Sequence, residues 1–230
     1  MKFKLLASSL LMAGALMGSG AASASLVLQW TLTSTFQGWI AASAGPNGGI
    51  VDQTPQPIAL PVTGDGDTTF KWISDSLGFG EGTTVTFTEW EDNVTLADYY
   101  RVEFENAEGL PVGSSVNYSI STQEPEKFYW AEIDTSHVGD VAATKVVDNG
   151  SSPLSIVSIA GNATEGTFGA ASTINVVDTI GANNTGVITN LINNYQTVPE
   201  PMTLALLGIG LAAFGVSRRR AMSETEGLLA

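Results

Sequence analysis

The sequence predicts an all-β protein: a β-sandwich, immunoglobulin-like or jelly-roll-like, between an N-terminal signal peptide and a single C-terminal hydrophobic helix. Three observations carry this. Period-2 alternation recurs along the middle of the chain. Clusters of turn residues punctuate it every few residues. Two apolar runs stand apart at the ends. Leu26, Leu28, Trp30 and Leu32 alternate with Gln29, Thr31 and Thr33. Tyr100, Val102 and Phe104 alternate with Arg101, Glu103 and Glu105, and Val116, Tyr118 and Ile120 with Asn117, Ser119 and Ser121. Each pattern gives a strand with one wet face.

Further strands are expected over Thr68–Ser74, Thr83–Trp90, Phe128–Ile133, Thr144–Val147, Leu154–Ala160 and Ser172–Thr179, rich in Thr, Val, Ile and aromatics. Between them lie breakers such as Gly64-Asp65-Gly66-Asp67, Gly78-Phe79-Gly80-Glu81-Gly82 and Asp148-Asn149-Gly150. Asn149-Gly150 is the strongest hairpin signal. Val187–Tyr195 fits a helical face or a last strand equally, and Gln196–Val198 reads as a linker. No helix of convincing length is expected inside the domain.

The N-terminus begins Met1-Lys2-Phe3-Lys4, continues as an apolar run to about Leu16, and ends in Ala22-Ser23-Ala24. This order of basic, apolar and small residues is that of a secretory signal with cleavage after Ala24, where Ala22 and Ala24 supply the small side chains the peptidase admits. The export machinery is therefore an expected partner.

The second apolar run, Met202 to Val216, follows Val198-Pro199-Glu200-Pro201 and leads through Ser217 into Arg218-Arg219-Arg220. At 1.5 Å per residue it covers about 22 Å, short of the roughly 30 Å hydrocarbon core. Three adjacent arginines argue against a buried soluble helix, because each charge would need a partner. The arginines belong on the cytoplasmic side and everything before Pro199 outside it.

Taken together, Pro199-Glu200-Pro201, the apolar run and the arginine cluster resemble the PEP-CTERM sorting tail. The resemblance covers about residues 198–220 and leaves a short tail over 221–230. It implies recognition of Pro199, Glu200 and Pro201 by an exosortase, a transient inner-membrane precursor, and a final place at the surface or in the extracellular matrix of a Gram-negative, exopolysaccharide-making bacterium. Exopolysaccharide is then an expected partner, in a biofilm setting.

Residues 25–197 remain as one domain. The chain has no cysteine, so disulfides and thiol chemistry are excluded. In this domain four basic residues, Lys71, Arg101, Lys127 and Lys145, stand against twenty acidic ones, a net charge of −16, sharper than the −14 of the whole chain. Such a surface excludes nucleic acid as a partner.

The sequence holds no recognisable catalytic constellation, and the expected protein is not an enzyme. The single histidine, His137, stands near Asp134 and Ser136, but adjacency is not triad geometry and no Gly-x-Ser-x-Gly elbow precedes a helix in the domain. Gly78–Gly82 lacks the spacing of a phosphate loop and reads as a turn. Asp65 and Asp67 are candidate calcium ligands, although the stretch does not complete an EF-hand pattern; otherwise no cofactor is expected. Glu89 and Glu91 are the paired carboxylates a secreted polysaccharide hydrolase would need, though sequence shows no opposed geometry. A carbohydrate-binding or adhesive module is the alternative reading. For it Trp39 and Trp90, near strand ends, are the candidate sugar contacts, while Trp30 and Trp72 belong to the core.

Overall fold

The computed structural model describes residues 26–52, 67–76, 78–92, 97–123, 126–181 and 185–198. The signal segment with Ala22 and Ala24, Asp65, the motif residues Pro199, Glu200 and Pro201, the apolar helix and Arg218 to Arg220 lie outside the described residues.

Among the described residues twelve strands build two sheets. They are β1 (Leu26–Thr35), β2 (Ile50–Val51), β3 (Thr69–Ser76), β4 (Thr84–Asp92), β5 (Asp98–Glu105), β6 (Ser115–Ser121), β7 (Lys127–Val138), β8 (Ala142–Asp148), β9 (Leu154–Ile159), β10 (Thr164–Ala171), β11 (Thr173–Ile180) and β12 (Val187–Val198). Sheet A runs β1-β4-β5-β12-β7-β10 and sheet B runs β2-β3-β6-β11-β8-β9. Neighbouring strands are antiparallel throughout. From β5 to β8 and from β9 to β12 every connection crosses to the other sheet, a jelly-roll-like alternation. The expected β-sandwich is the observed architecture.

The strands form where alternation is cleanest. Along β5 and β6 every second residue is buried, which leaves one face of each sheet for the core and one for water. The core joins inward residues of both sheets, with Phe87, Tyr100 and Phe104 from sheet A meeting Phe70, Tyr118 and Ile120 from sheet B. The Asn149-Gly150 turn falls between β8 and β9, with Gly150 at φ +82.

One helix was not expected. Helix α1 (Phe36–Ser43) is capped by Thr35, whose Oγ1 accepts from the Gly38 N–H at 3.0 Å. Phe36 and Trp39, three residues apart, face the core together. Trp39 is fully buried; its Nε1–H donates to the Phe70 carbonyl at 3.0 Å and its ring meets Phe87 edge-on at 5.3 Å and Tyr118 at 5.6 Å. The segment 78–82 packs over this helix. Gly80 lies so close to Phe36 that a Cβ there would overlap the ring. Trp39 is therefore a core residue and not a surface contact, because the helix turns its indole inward.

β12 resolves the ambiguous segment as a strand, and it absorbs Gln196 to Val198 as well. The expected linker does not exist there: Thr197 and Val198 pair with Phe128 and Lys127.

Truncating the indole tests the role of the helix. Trp39→Ala should lower domain stability by ~3–5 kcal/mol in denaturant unfolding. Trp90→Ala should cost about 1 kcal/mol or less, the scale of an exposed cation–π contact. Equal losses from the two would contradict the placement of Trp39.

Candidate functional site

The outward face of sheet A carries a set of aromatic and polar side chains that the fold leaves partly accessible. The register sets them in rows across four strands. One row runs Trp90 (β4), Tyr99 (β5), Gln196 (β12) and Trp130 (β7). The next runs Thr88, Arg101, Asn194 and Glu132, and reaches Glu165 on β10. A third holds Thr86, Glu103, Ile192 and Asp134. Alternation enforces this. Tyr100, Val102, Asn193, Tyr195, Ala131 and Ile133 point into the core, so their neighbours in the chain point out.

The rows are cross-linked. The Arg101 guanidinium lies over the Trp90 ring, 5.1 Å from its centroid, and Nε–H donates to Asn194 Oδ1 at 2.9 Å. The Tyr129 hydroxyl donates to Gln196 Oε1 at 2.8 Å, and Gln196 Nε2 donates to the Tyr99 hydroxyl. Asn190 donates to Glu103. These bonds fix the side chains while most of them stay half-buried, a preorganised surface rather than a floppy one.

Its electrostatics are mixed. Burial pushes the Tyr99 hydroxyl up to about 12, helped by Tyr129 and Asp92 and opposed by Gln196. Burial also raises Tyr129. Both phenols therefore remain protonated at neutral pH and can donate or accept. Burial raises the Glu132 carboxyl, with Asp134 and Glu165 adding to it and Asn194 and Arg101 opposing. Burial raises Asp134, against Thr135 N–H, Arg101 and His137. The face thus offers flat apolar rings, three neutral amides, two neutral phenols, one guanidinium and several carboxylates. That set suits a ligand with an apolar flat side and a rim of groups that both donate and accept.

The other candidates are placed as follows. Trp90 is half-buried on this face; Trp39 is in the core. Trp30 is in the core as expected, whereas Trp72 is only half-buried. Glu89 is buried, 3% exposed, on the inward side of β4, and Glu91 is half-buried, accepting from Gln29 Nε2 at 3.0 Å. They do not flank the accessible face. Asp67 takes the Thr68 hydroxyl at 2.9 Å and the Thr122 hydroxyl at 3.4 Å. Among the described residues no group of three or more acidic or histidine side chains is disposed to hold a metal ion. His137 lies within β7, half-buried beside Gly161. No helix among the described residues is long and apolar enough to cross a membrane.

The raised carboxyl of Glu132 has a thermodynamic signature. Its value in the folded state lies above the ordinary 4.5, so the folded protein holds this proton more tightly than the unfolded chain. The contribution of this group to stability therefore falls as pH rises. Glu132→Gln should gain on the wild type in thermal unfolding as pH goes from about 4 to 7. A difference that stays constant with pH would contradict the burial of this carboxyl.

No curated protein matches this chain in sequence. Among solved structures it is similar to that of TmCBM61 in complex with beta-1,4-galactotriose, at 12% identity and TM-score 0.25, over 52% of this chain and 90% of that one. It is similar to a family two carbohydrate esterase from Cellvibrio japonicus at 15% identity and TM-score 0.24, over 58% of this chain and 36% of that one. A Podospora anserina GH26-CBM35 beta-(1,4)-mannanase matches at 16% identity and TM-score 0.25, over 58% of this chain and 28% of that one. The chain therefore spans well under half of either enzyme. Over residues 197–220 it matches the family model of the PEP-CTERM protein-sorting motif, and so carries the tail that marks an exported protein for an exosortase as a membrane-held precursor.

Proposed function

We propose that this protein is an exported, non-enzymatic surface or matrix component that holds polysaccharide on the outward face of sheet A. The observation that carries the reading is the pair of rows Trp90–Tyr99–Gln196–Trp130 and Arg101–Asn194–Glu132. A pyranose ring has a flat C–H side and an equatorial rim of hydroxyls. The indoles suit the first, and the amides, phenols and carboxylate suit the second. The sorting motif supports an extracytoplasmic setting, where such polymers lie. Exopolysaccharide in a biofilm matrix is the partner that this combination favours, and the sorting tail is the part that exosortase removes.

Binding to a panel of soluble polysaccharides by affinity electrophoresis tests the site. Trp90→Ala and Asn194→Ala should each weaken binding by about tenfold, the equivalent of ~1.4 kcal/mol, without loss of the folded domain. A panel that is flat for the wild type, or variants that bind unchanged, would remove the assignment.

Processing has its own readout. Mature protein recovered from the envelope or the medium should lack Arg218, Arg219 and Arg220 by intact mass. A species that keeps them, found only in the inner membrane, would refute removal of the tail.

A further inference from the structure

The inside of the sandwich contains a chain of polar groups that its aromatic surroundings do not require. Lys145 points inward from β8 and is fully buried. Its Nζ donates to the Tyr195 hydroxyl of β12 at 2.9 Å. That hydroxyl meets the Tyr118 hydroxyl of β6 at 2.6 Å, and Tyr118 donates to Asp178 Oδ2 of β11 at 3.0 Å. Lys145 and Asp178 are direct cross-strand partners. Asn193, two residues before Tyr195 on the same inward row of β12, is also fully buried.

Three atoms of this cluster are buried without a hydrogen-bond partner: Asp178 Oδ1, Asn193 Nδ2 and Asn193 Oδ1. Native interiors hold few such atoms, because a buried polar group that lacks a partner has lost its water without replacement. Here they belong to an amide and a carboxylate set against each other: Asn193 interacts with Asp178 in the sense that favours its ionised form, yet no pair of their atoms meets at normal hydrogen-bond geometry.

We infer that Lys145 and Asn193 are joined by an amide bond between Nζ and Cγ, formed within the folded domain with Asp178 as proton donor. The hydrogen-bonded chain supplies the reactants. A proton passed from Lys145 through Tyr195 and Tyr118 to Asp178 turns an ammonium and a carboxylate into a neutral amine and a carboxylic acid. Burial favours both neutral forms. It holds Lys145 down at about 7 against the pull of Asp178 and Glu132, and it raises Asp178 against Lys145, Tyr118 and Asn193. The free amine swings on its flexible stem and attacks Cγ, and the Asp178 proton stabilises the developing oxyanion on Oδ1. The Nζ–Cγ bond forms and the Cγ–Nδ2 bond breaks. One Nζ proton departs with Nδ2 as ammonia, and the proton on Asp178 is regained. The balance needs no oxidant, reductant or metal.

The product removes what is costly in this cluster. Nδ2 leaves, the new carbonyl oxygen accepts from the protonated Asp178, and no buried charge remains. The bond ties β8 of sheet B to β12 of sheet A, in a chain that has no cysteine for a disulfide.

The test uses the exported protein as recovered from the envelope, denatured and digested with trypsin. Between Lys127 and Arg218 the only lysine or arginine, and so the only site for trypsin, is Lys145. The expected product is therefore uncut after Lys145 and one ammonia short of its sequence mass, with fragment ions that join 145 to 193. Asp178→Asn should restore cleavage and full mass in a folded domain. Full mass with complete cleavage after Lys145 in the wild type would overturn the inference. So would an ammonia loss that maps to Asn149, or one that persists in Lys145→Met.

Discussion

The placement of β12 governs the rest of the structure. The last strand of the domain lies between β5 and β7 at the middle of sheet A, bonded to both along most of its length. Its inward residues, Leu191, Asn193 and Tyr195, complete the core. Its outward residues, Asn194 and Gln196, complete the candidate face. One strand thus supplies a share of the packing, of the buried polar cluster and of the accessible surface. Alternation lets it do so, because neighbouring residues emerge on opposite sides of the sheet.

The interior is correspondingly divided. At one end it is aromatic: Phe36, Trp39, Phe79, Phe87 and Phe104 meet edge-on or tilted at 5.3–6.3 Å. That region needs no polar partner beyond the indole N–H. Around Tyr118 and Tyr195 the same rings bring hydroxyls inward, and Lys145 and Asp178 are accommodated only because those hydroxyls meet them. Exchanging such a group for an apolar one of similar volume is commonly neutral or stabilising, so a lysine and an aspartate inside this core point to chemistry or specificity rather than to raw stability.

Much of this architecture is legible in the sequence, and the exceptions have particular causes. The wet-and-dry alternation of β5 and β6 is unbroken, so both strands appear in the amino-acid pattern. β10 does not, because Gly166, Gly169 and Ala170 give it little to alternate. β12 is ambiguous because Asn193 occupies an inward position where an apolar residue would have marked a strand. Ile188, Ile192 and Tyr195 are left at spacings a helix also satisfies. Helix α1 is too short to show a period, and Trp39 at its centre looks like a residue near a strand end. The candidate face fails to appear for a different reason. Arg101 is visibly outward on β5, but its neighbours Trp90, Asn194 and Glu132 come from strands set beside it by topology, which local pattern does not encode.

The sorting motif begins at Thr197, inside β12 rather than after it. Thr197 is fully buried, and its hydroxyl accepts from the Asp98 N–H at 3.1 Å; Val198 still pairs with Lys127. In the sequence, Pro199-Glu200-Pro201 come directly after Val198. A molecule held by its tail therefore has only three residues of sequence between β12 and the apolar run that begins at Met202. Tension applied there pulls β12 along its own axis, against the hydrogen bonds to β5 and β7 at once, a shear geometry in which many bonds share the load. The tether grips the domain by its central strand, where the structure is least able to peel.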